Sequence, residues 1–270
     1  MTVERNSVID YYLSYFCAEI ADEILTTNAS YIIPITYKSQ KALLKISFEE
    51  EEIRGNKVLL HWQSKGCATV YDHHQNAIVM ELLNAKPSLA DLAKTNDTKA
   101  SGIMCVVLAQ IHSLPKHPEL TELKDRFSSL LLSSNHFPTI QFSKVLSQNL
   151  LNNQQECCTL HGDMHHANVL YANERGWLAI DPKGLWGDAA FDYANIFCNP
   201  DKQTALSEQR IARQLNFISD NTGIEKERLL QWVIAYSALS AVWSIESSED
   251  YALALGINEL AVTMYQEQNY

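Results

Sequence analysis

His161-Gly162-Asp163, with Asn168 five residues after the aspartate and Ile180-Asp181-Pro182 further on, constrains this chain more than any other stretch. An acid, an amide and a second acid at these intervals are the set that phosphoryl transfer requires. An acceptor hydroxyl is a poor nucleophile, so a carboxylate must orient it and take its proton late. Asp163 suits that role. Polyphosphate charge calls for Mg²⁺, which prefers oxygen ligands, and Asn168 and Asp181 offer an amide oxygen and a carboxylate. Val169-Leu170-Tyr171 and Trp177-Leu178-Ala179-Ile180 are short apolar runs on either side of the turn signal Asn173-Glu174-Arg175-Gly176. They predict a hairpin that places Asn168 at the start of one strand and Asp181 at the end of the next, so that both reach one metal ion.

With 270 residues and 46% hydrophobic content, the chain can build one large domain or two lobes with a real core. It has no run of about 18 apolar residues, so no membrane helix is expected. The start, Met-Thr-Val-Glu-Arg-Asn, lacks the basic and apolar regions of a signal peptide. The six cysteines show no metal-type spacing and read as reduced core thiols of a cytoplasmic protein. A net charge of −11 argues against a nucleic-acid partner and suits a cationic small-molecule ligand.

Along the chain, residues 7–25 read as an amphipathic helix capped by Ser7, with Val8, Tyr12, Tyr15, Phe16 and Ile20 near one face. Strands follow over 31–37 and 42–47, then a helix over 49–63, then strands over 67–71 and 77–82 around a turn at 72–76. From Pro87 onward the pattern is mostly helical, and the composition shifts near 84–87. This is the plan of an α+β, bilobal, protein kinase-like fold. Residues 1–84 form a small β-rich, nucleotide-binding lobe. Residues 85–270 form a larger helical lobe that carries the catalytic and acceptor-binding residues, within a single kinase-like domain. The ligand cleft lies between the lobes.

Further residues fit that plan. Lys45 is the lone charge in Ala42-Leu43-Leu44-Lys45-Ile46 and would meet the α- and β-phosphates of ATP. Its partner comes from the run Glu49 to Glu52. Glu52 is preferred because it shares a helical face with Gly55, Leu59 and Gln63. The backbone of Glu81 and Leu83, at the end of the sheet lobe, is placed for an adenine edge. No glycine-rich phosphate loop exists; Thr27-Asn28-Ala29-Ser30 takes its place, with Ser30 as the phosphate-side contact. His161, Asp188 and Asp192 read as structural support, Asp192 tying the catalytic loop and Asp188 capping a helix that begins near Ala189. His165 and His166 read as loop residues that pack against or bond the catalytic-loop backbone. A helix over 232–245 reads as a buried core helix, too short to cross a bilayer. Glu246, with Glu249 and Asp250 nearby, is the candidate contact for an acceptor cation.

A zinc site built from His161, Asp163, His165 and His166 would leave Lys45, Asn168 and Asp181 without a joint purpose. A nucleotide-binding regulator without turnover is disfavoured because every motif residue is intact. A kinase acting on another small hydroxyl-bearing metabolite stays open.

The stretches His161-Gly-Asp-Met-His-His-Ala-Asn168, Trp177-Leu-Ala-Ile-Asp181-Pro-Lys-Gly184 and Gly187-Asp188-Ala-Ala-Phe-Asp192 resemble the aminoglycoside/hydroxyurea antibiotic resistance kinases. Streptomycin 6-phosphotransferases are the best-known members of that family. Asp-Pro-Lys-Gly is more specific than the general kinase pattern. Ser30-Tyr-Ile-Ile-Pro-Ile-Thr with Leu44-Lys45, Leu59-Leu-His-Trp62, and Leu239 to Glu246 are also similar, so the resemblance spans nearly the whole chain. It implies a kinase-like fold, ATP and Mg²⁺, and O-phosphorylation of a small antibiotic such as streptomycin. Family members often carry leucine in place of Met164 and glycine in place of Ala167. They also have Asp-Gly after the Trp-Ser-x-Glu stretch, where this chain has Ser247-Ser248, a departure on the acceptor side.

Overall fold

The structure, a computed structural model, describes residues 2–134 and 137–268. Helix α1 (Thr2–Phe16) precedes strands β1 (Glu19–Ile20), β2 (Leu25–Thr26), β3 (Ser30–Tyr37) and β4 (Gln40–Ser47). Helix α2 (Glu50–Trp62) then crosses to β5 (Val70–His74) and β6 (Ala77–Glu81). These strands form one antiparallel sheet in the order β1-β3-β4-β6-β5, with β2 on β3.

Alternation along β4 sorts its side chains. Ala42, Leu44 and Ile46 pack with Ile33, Ile35 and Val79 under Ile9, Tyr12 and Phe16 of α1. Leu43 and Lys45 take the opposite face, paired across the ladder with Met80 and Ile78. The period-2 pattern thus puts the one lysine of this strand interior on the cleft side.

The helix expected over 7–25 is shorter and earlier. It ends at Phe16, where Cys17 takes a left-handed φ of 50° and the Ala18 N–H bonds the Leu13 carbonyl at 2.9 Å. That is a helix-ending motif without its usual glycine. Ser7 lies inside the helix and is no cap. Ile20, which continued the apolar period, is half exposed in β1 and pairs with Ile35. The strand expected over 67–71 starts instead at Val70. Cys67 and Ala68 leave the sheet to meet Ala179, whose carbonyl accepts from Ala68 N at 3.0 Å.

After β6 the chain turns helical with α3 (Leu89–Thr95) and α4 (Asp97–His112). Strand β7 (Thr121–Glu122), α5 (Leu123–Arg126), α6 (Ser128–Leu132) and α7 (Pro138–Asn152) follow. Then come β8 (Cys157–Leu160), the hairpin β9 (Val169–Tyr171) and β10 (Trp177–Ala179), and β11 (Leu185–Asp188). The chain closes with α8 (Ala190–Phe197), α9 (Lys202–Ala205), α10 (Glu208–Thr222), α11 (Lys226–Glu246) and α12 (Ala252–Gln268). The fold is thus a bilobal, protein kinase-like α+β architecture, a sheet-rich N-terminal part joined to a helical C-terminal part.

Helix α11 is longer than the expected 232–245 and, by length and composition, is long enough to cross a bilayer. It is instead the axis of the helical core. Trp232 lies edge-on to Phe127 and Phe191 at ring separations of 5.9 and 5.7 Å, and 67% of its most apolar window is buried. Burial of that kind is the main favourable term in holding the helical part together.

Candidate active site

Strand β8 carries the chain to His161, and β11 pairs beside it, Leu185 opposite Leu160. The loop between them is fixed from below by Asp192 in the first turn of α8. Its buried carboxylate accepts from the backbone N–H of His161 at 2.7 Å and of Gly162 at 2.8 Å, and meets His112 Nε2 at 2.9 Å. Gly162 has a φ of 87°, and a Cβ there would stand 2.9 Å from the Leu185 side chain. Glycine is therefore required at this point of the loop.

The His161 imidazole bridges the two catalytic segments. Nε2 donates to the Ile180 carbonyl at 2.8 Å, and Nδ1 accepts from the Asp163 N–H at 3.2 Å. Burial pushes its pKa down, which keeps the ring neutral and in the one tautomer that serves both bonds. Asp188 supports the next turn. It accepts from Ala190 N at 3.0 Å, as expected of a cap, and also from Gln155 N at 2.9 Å and Arg228 Nε at 3.1 Å.

The Asp163 side chain is a quarter exposed. Asn195 Nδ2 donates to its Oδ1 at 3.0 Å, while Asn168 Nδ2 reaches its backbone oxygen at 2.9 Å and Oδ2 at 3.4 Å. Asn199 holds Asn195 in turn at 2.9 Å. With its nitrogen engaged on Asp163, the Asn168 amide has only its oxygen left for the cavity it lines.

The hairpin forms as expected, Val169 opposite Ala179. Just past it, Asp181 takes a left-handed φ of 58°. This turns its carboxylate into a ring of four side chains with Lys45, Glu52 and Lys183. Oδ1 meets Lys45 Nζ, and Oδ2 meets Lys183 Nζ at 3.0 Å. Glu52 closes the ring, Oε2 to Lys45 at 2.5 Å and Oε1 to Lys183 at 2.5 Å. Burial opposes the charge on Asp181, but Lys45 and Lys183 outweigh it and hold its carboxyl well below the usual range. Burial likewise opposes the charge on Lys183, and Asp181 with Glu52 raises its pKa instead.

Glu52 is thus the glutamate of its run that faces Lys45. Its neighbour Glu51 pairs with Arg126, which lies 4.7 Å over the Trp243 ring. Arg126 and Asn195 carry no sequence signal of their own, and Lys183 was visible only as part of Asp-Pro-Lys-Gly.

Above the ring lies a cavity of about 610 Å³ walled by Leu43, Leu59, Met80, Leu170 and Ile180. Glu81 and Leu83 line its far end. The Glu81 N–H bonds the Thr69 carbonyl at 2.8 Å, and its carboxylate takes Arg175 Nη1 at 2.5 Å. That side chain therefore ties the hairpin turn to the sheet rather than facing the cavity. Ser30 lines the cavity but is buried, its hydroxyl on Ser47 Oγ at 3.3 Å. The Ala29 and Ser30 amides turn inward to Thr27 Oγ1 at 3.2 and 2.9 Å. Glu246 is exposed on the last turn of α11 and makes no hydrogen bond or ion pair among the described residues.

The histidines do not converge as a zinc cluster. His161 is engaged as above, and His165 Nδ1 accepts from Ala167 N at 3.2 Å. Buried His166 has no hydrogen-bond partner among the described residues, and burial brings its pKa down to about 4.

A family model described as aminoglycoside/hydroxyurea antibiotic resistance kinase matches residues 18–248. A streptomycin 3''-kinase of Klebsiella pneumoniae is 38% identical over 88% of this chain and 94% of its own length. A streptomycin 6-kinase of Streptomyces griseus is 25% identical over 87% and 80%. Among solved structures, the aminoglycoside phosphotransferase APH(4)-Ia, in a ternary complex with ADP and hygromycin B, superposes with a TM-score of 0.68 at 13% identity. The match covers 96% of this chain and 98% of that one. The choline kinase LicA of Streptococcus pneumoniae superposes with a TM-score of 0.64 at 16% identity, over 98% and 99%. At such identities these two matches establish the fold alone.

Proposed function

The chain belongs to the aminoglycoside/hydroxyurea antibiotic resistance kinase family, and we propose that it transfers the γ-phosphoryl of ATP to a hydroxyl of a streptomycin-like aminoglycoside. One observation carries the chemistry: the Asp163 carboxylate, held by Asn195 and Asn168, is joined through Asn168 to the cavity that Lys45, Glu52 and Asp181 line. The identity of 38% to a streptomycin 3''-kinase, against 25% to a 6-kinase, favours the 3''-hydroxyl over the 6-hydroxyl as the site modified.

Each residue then has one task. Asp163 accepts the hydrogen bond of the acceptor hydroxyl and takes its proton late. Asn195 and Asn168 keep its oxygens from rotating away. Lys45 moves from Asp181 to the α- and β-phosphates, with Glu52 guiding it. Leu43, Met80 and Leu170 would hold the adenine, with the backbone of Glu81 and Leu83 to meet its edge. Hard oxygen donors on Asn168 and Asp181, set at the cavity edge, fit Mg²⁺. When bound there, Mg²⁺ supplies neutralisation of polyphosphate charge.

The test is turnover of purified protein with ATP and Mg²⁺ against a panel of aminoglycosides and small alcohols, with the product located by NMR. Streptomycin phosphorylated at the 3'' position is expected. A neutral alcohol phosphorylated faster than any aminoglycoside would overturn the substrate class and leave the kinase assignment standing.

A further inference from the structure

The ring of Lys45, Glu52, Lys183 and Asp181 contains one lysine more than a nucleotide site of this kind needs. Each ammonium takes one oxygen from each carboxylate: Glu52 Oε2 and Asp181 Oδ1 on Lys45, Glu52 Oε1 and Asp181 Oδ2 on Lys183. Two positive and two negative charges cancel. Both lysines are more than nine-tenths buried, and Asp181, a third exposed, is the member of the ring open to the cleft.

The two lysines differ in freedom. Lys45 stands on β4 at the cavity floor, and a polyphosphate in the cavity offers it new partners. Lys183 is held along its backbone. Its N–H donates to the His161 carbonyl at 2.7 Å, and its own carbonyl accepts from Arg54 Nε at 3.2 Å. Pro182, just before it, lies so close to Gly55 of α2 that a Cβ there would stand 3.3 Å from its carbonyl carbon. The Lys183 backbone is therefore fixed, and the residue stands outside the lining of the cavity, whereas Lys45 belongs to it.

We propose that Lys183 is a positioning residue that acts as the resident counter-ion of the metal site, so that a divalent cation loads only together with the nucleotide. The proposal rests on the assignment of Asp181 as a metal ligand. Without nucleotide, a free divalent cation that approaches Asp181 meets two ammonium groups already on its oxygens. With nucleotide, the phosphates draw Lys45 away, Oδ1 is released, and Lys183 still holds Oδ2 and Glu52. Removing the Lys183 charge leaves two carboxylates sharing one ammonium. That deficit attracts a free divalent cation and grips Lys45 more firmly, which hinders its move to phosphate. The two effects have opposite signs. A lysine that merely supported the fold would, on removal, weaken both kinds of binding.

The experiment uses the full chain, with Mn²⁺ as probe followed by the EPR signal of free Mn²⁺, and metal-free ATP binding followed by calorimetry. Wild type should bind Mn²⁺ at least about tenfold more weakly without nucleotide than with it, given like charges in a partly buried cleft. Lys183→Met should tighten nucleotide-free Mn²⁺ binding and weaken metal-free ATP binding, each by about tenfold. Lys183→Arg, which keeps the charge, should restore the wild-type pattern. Wild type that binds Mn²⁺ equally with and without nucleotide overturns the proposal, and does so without any variant. Lys183→Met that weakens both ligands also overturns it, and leaves Asp181 as a metal ligand. Asp181→Asn with unchanged Mn²⁺ affinity in the presence of ATP removes the metal assignment itself, and the proposal with it.

Discussion

Replacing Gly55 by alanine tests whether α2 and the segment after Asp181 act as one unit. Gly55 lies one turn beyond Glu52, on the side of α2 that meets Pro182. A Cβ there would stand 3.3 Å from the Pro182 carbonyl carbon and closer still to its oxygen. Ordinary carbon contacts lie at about 3.5–4.0 Å, so helix and loop must part by about 1 Å. The ring opens from both sides at once, because Glu52 holds Lys45 and Lys183 from α2 while Asp181 holds them from the loop. A misplacement of about 1 Å costs on the order of 100-fold in rate. The stability effect is smaller, since alanine gains about 1 kcal/mol of helix propensity against roughly 1–3 kcal/mol for overpacking. In a chain of this size each 1 kcal/mol moves Tm by about 2–4 °C. Steady-state kinetics by coupled ADP release should show kcat/KM for ATP down about 100-fold, with a melting temperature within a few degrees of wild type. Gly102→Ala is the control, because its Cβ would meet only the tip of the Phe217 ring at 3.3 Å. Gly55→Ala with more than half the wild-type kcat/KM would refute the reasoning.

Asp163→Ala should lower kcat by about 100- to 10,000-fold and leave ATP affinity within twofold, by calorimetry; turnover above a tenth of wild type removes it from the base role. His166 should make the fold acid-sensitive. Burial, aided by Arg210, brings its pKa from the ordinary 6.5 down to about 4, so between those values the unfolded chain binds more protons and stability falls as pH falls. His166→Gln should flatten urea-denaturation stability across that window, and an unchanged slope would assign the acid sensitivity elsewhere. The acceptor KM should rise with ionic strength, because charges beyond a Debye length of about 8 Å are screened. Glu246→Gln should raise the same KM by about twofold and leave KM for ATP alone; a salt-independent KM would count against a cationic acceptor.

Residues 161–181 are legible in the sequence because their geometry is local. A hairpin of short apolar runs can bring Asn168 and Asp181 together only one way, and the structure pairs Val169 with Ala179 accordingly. Lys45 is legible for a similar reason, since strand parity alone puts it opposite Leu44 and Ile46. What the sequence does not state is where long-range packing brings other chemistry to the same place. Asn195 reaches Asp163 only because α8 is docked by Asp192 under the loop. Lys183 reaches Asp181 Oδ2 only because Asp181 is left-handed, a conformation that no spacing rule assigns to an aspartate.

The end of α1 departs from the apolar period for the converse reason. Ile20 kept the apolar period going after the chain had already turned at Cys17. The missing glycine-rich loop has a counterpart in the same physics. Amides at Ala29 and Ser30 are already held by Thr27 Oγ1. A cleft so built presents ammonium groups to a polyphosphate where a glycine-rich loop would present amides. Ammonium groups need carboxylates to hold them in place before the ligand arrives. That requirement accounts for Glu52 and Asp181 each facing two lysines, and for α2 lying close enough to Pro182 that only glycine fits at position 55.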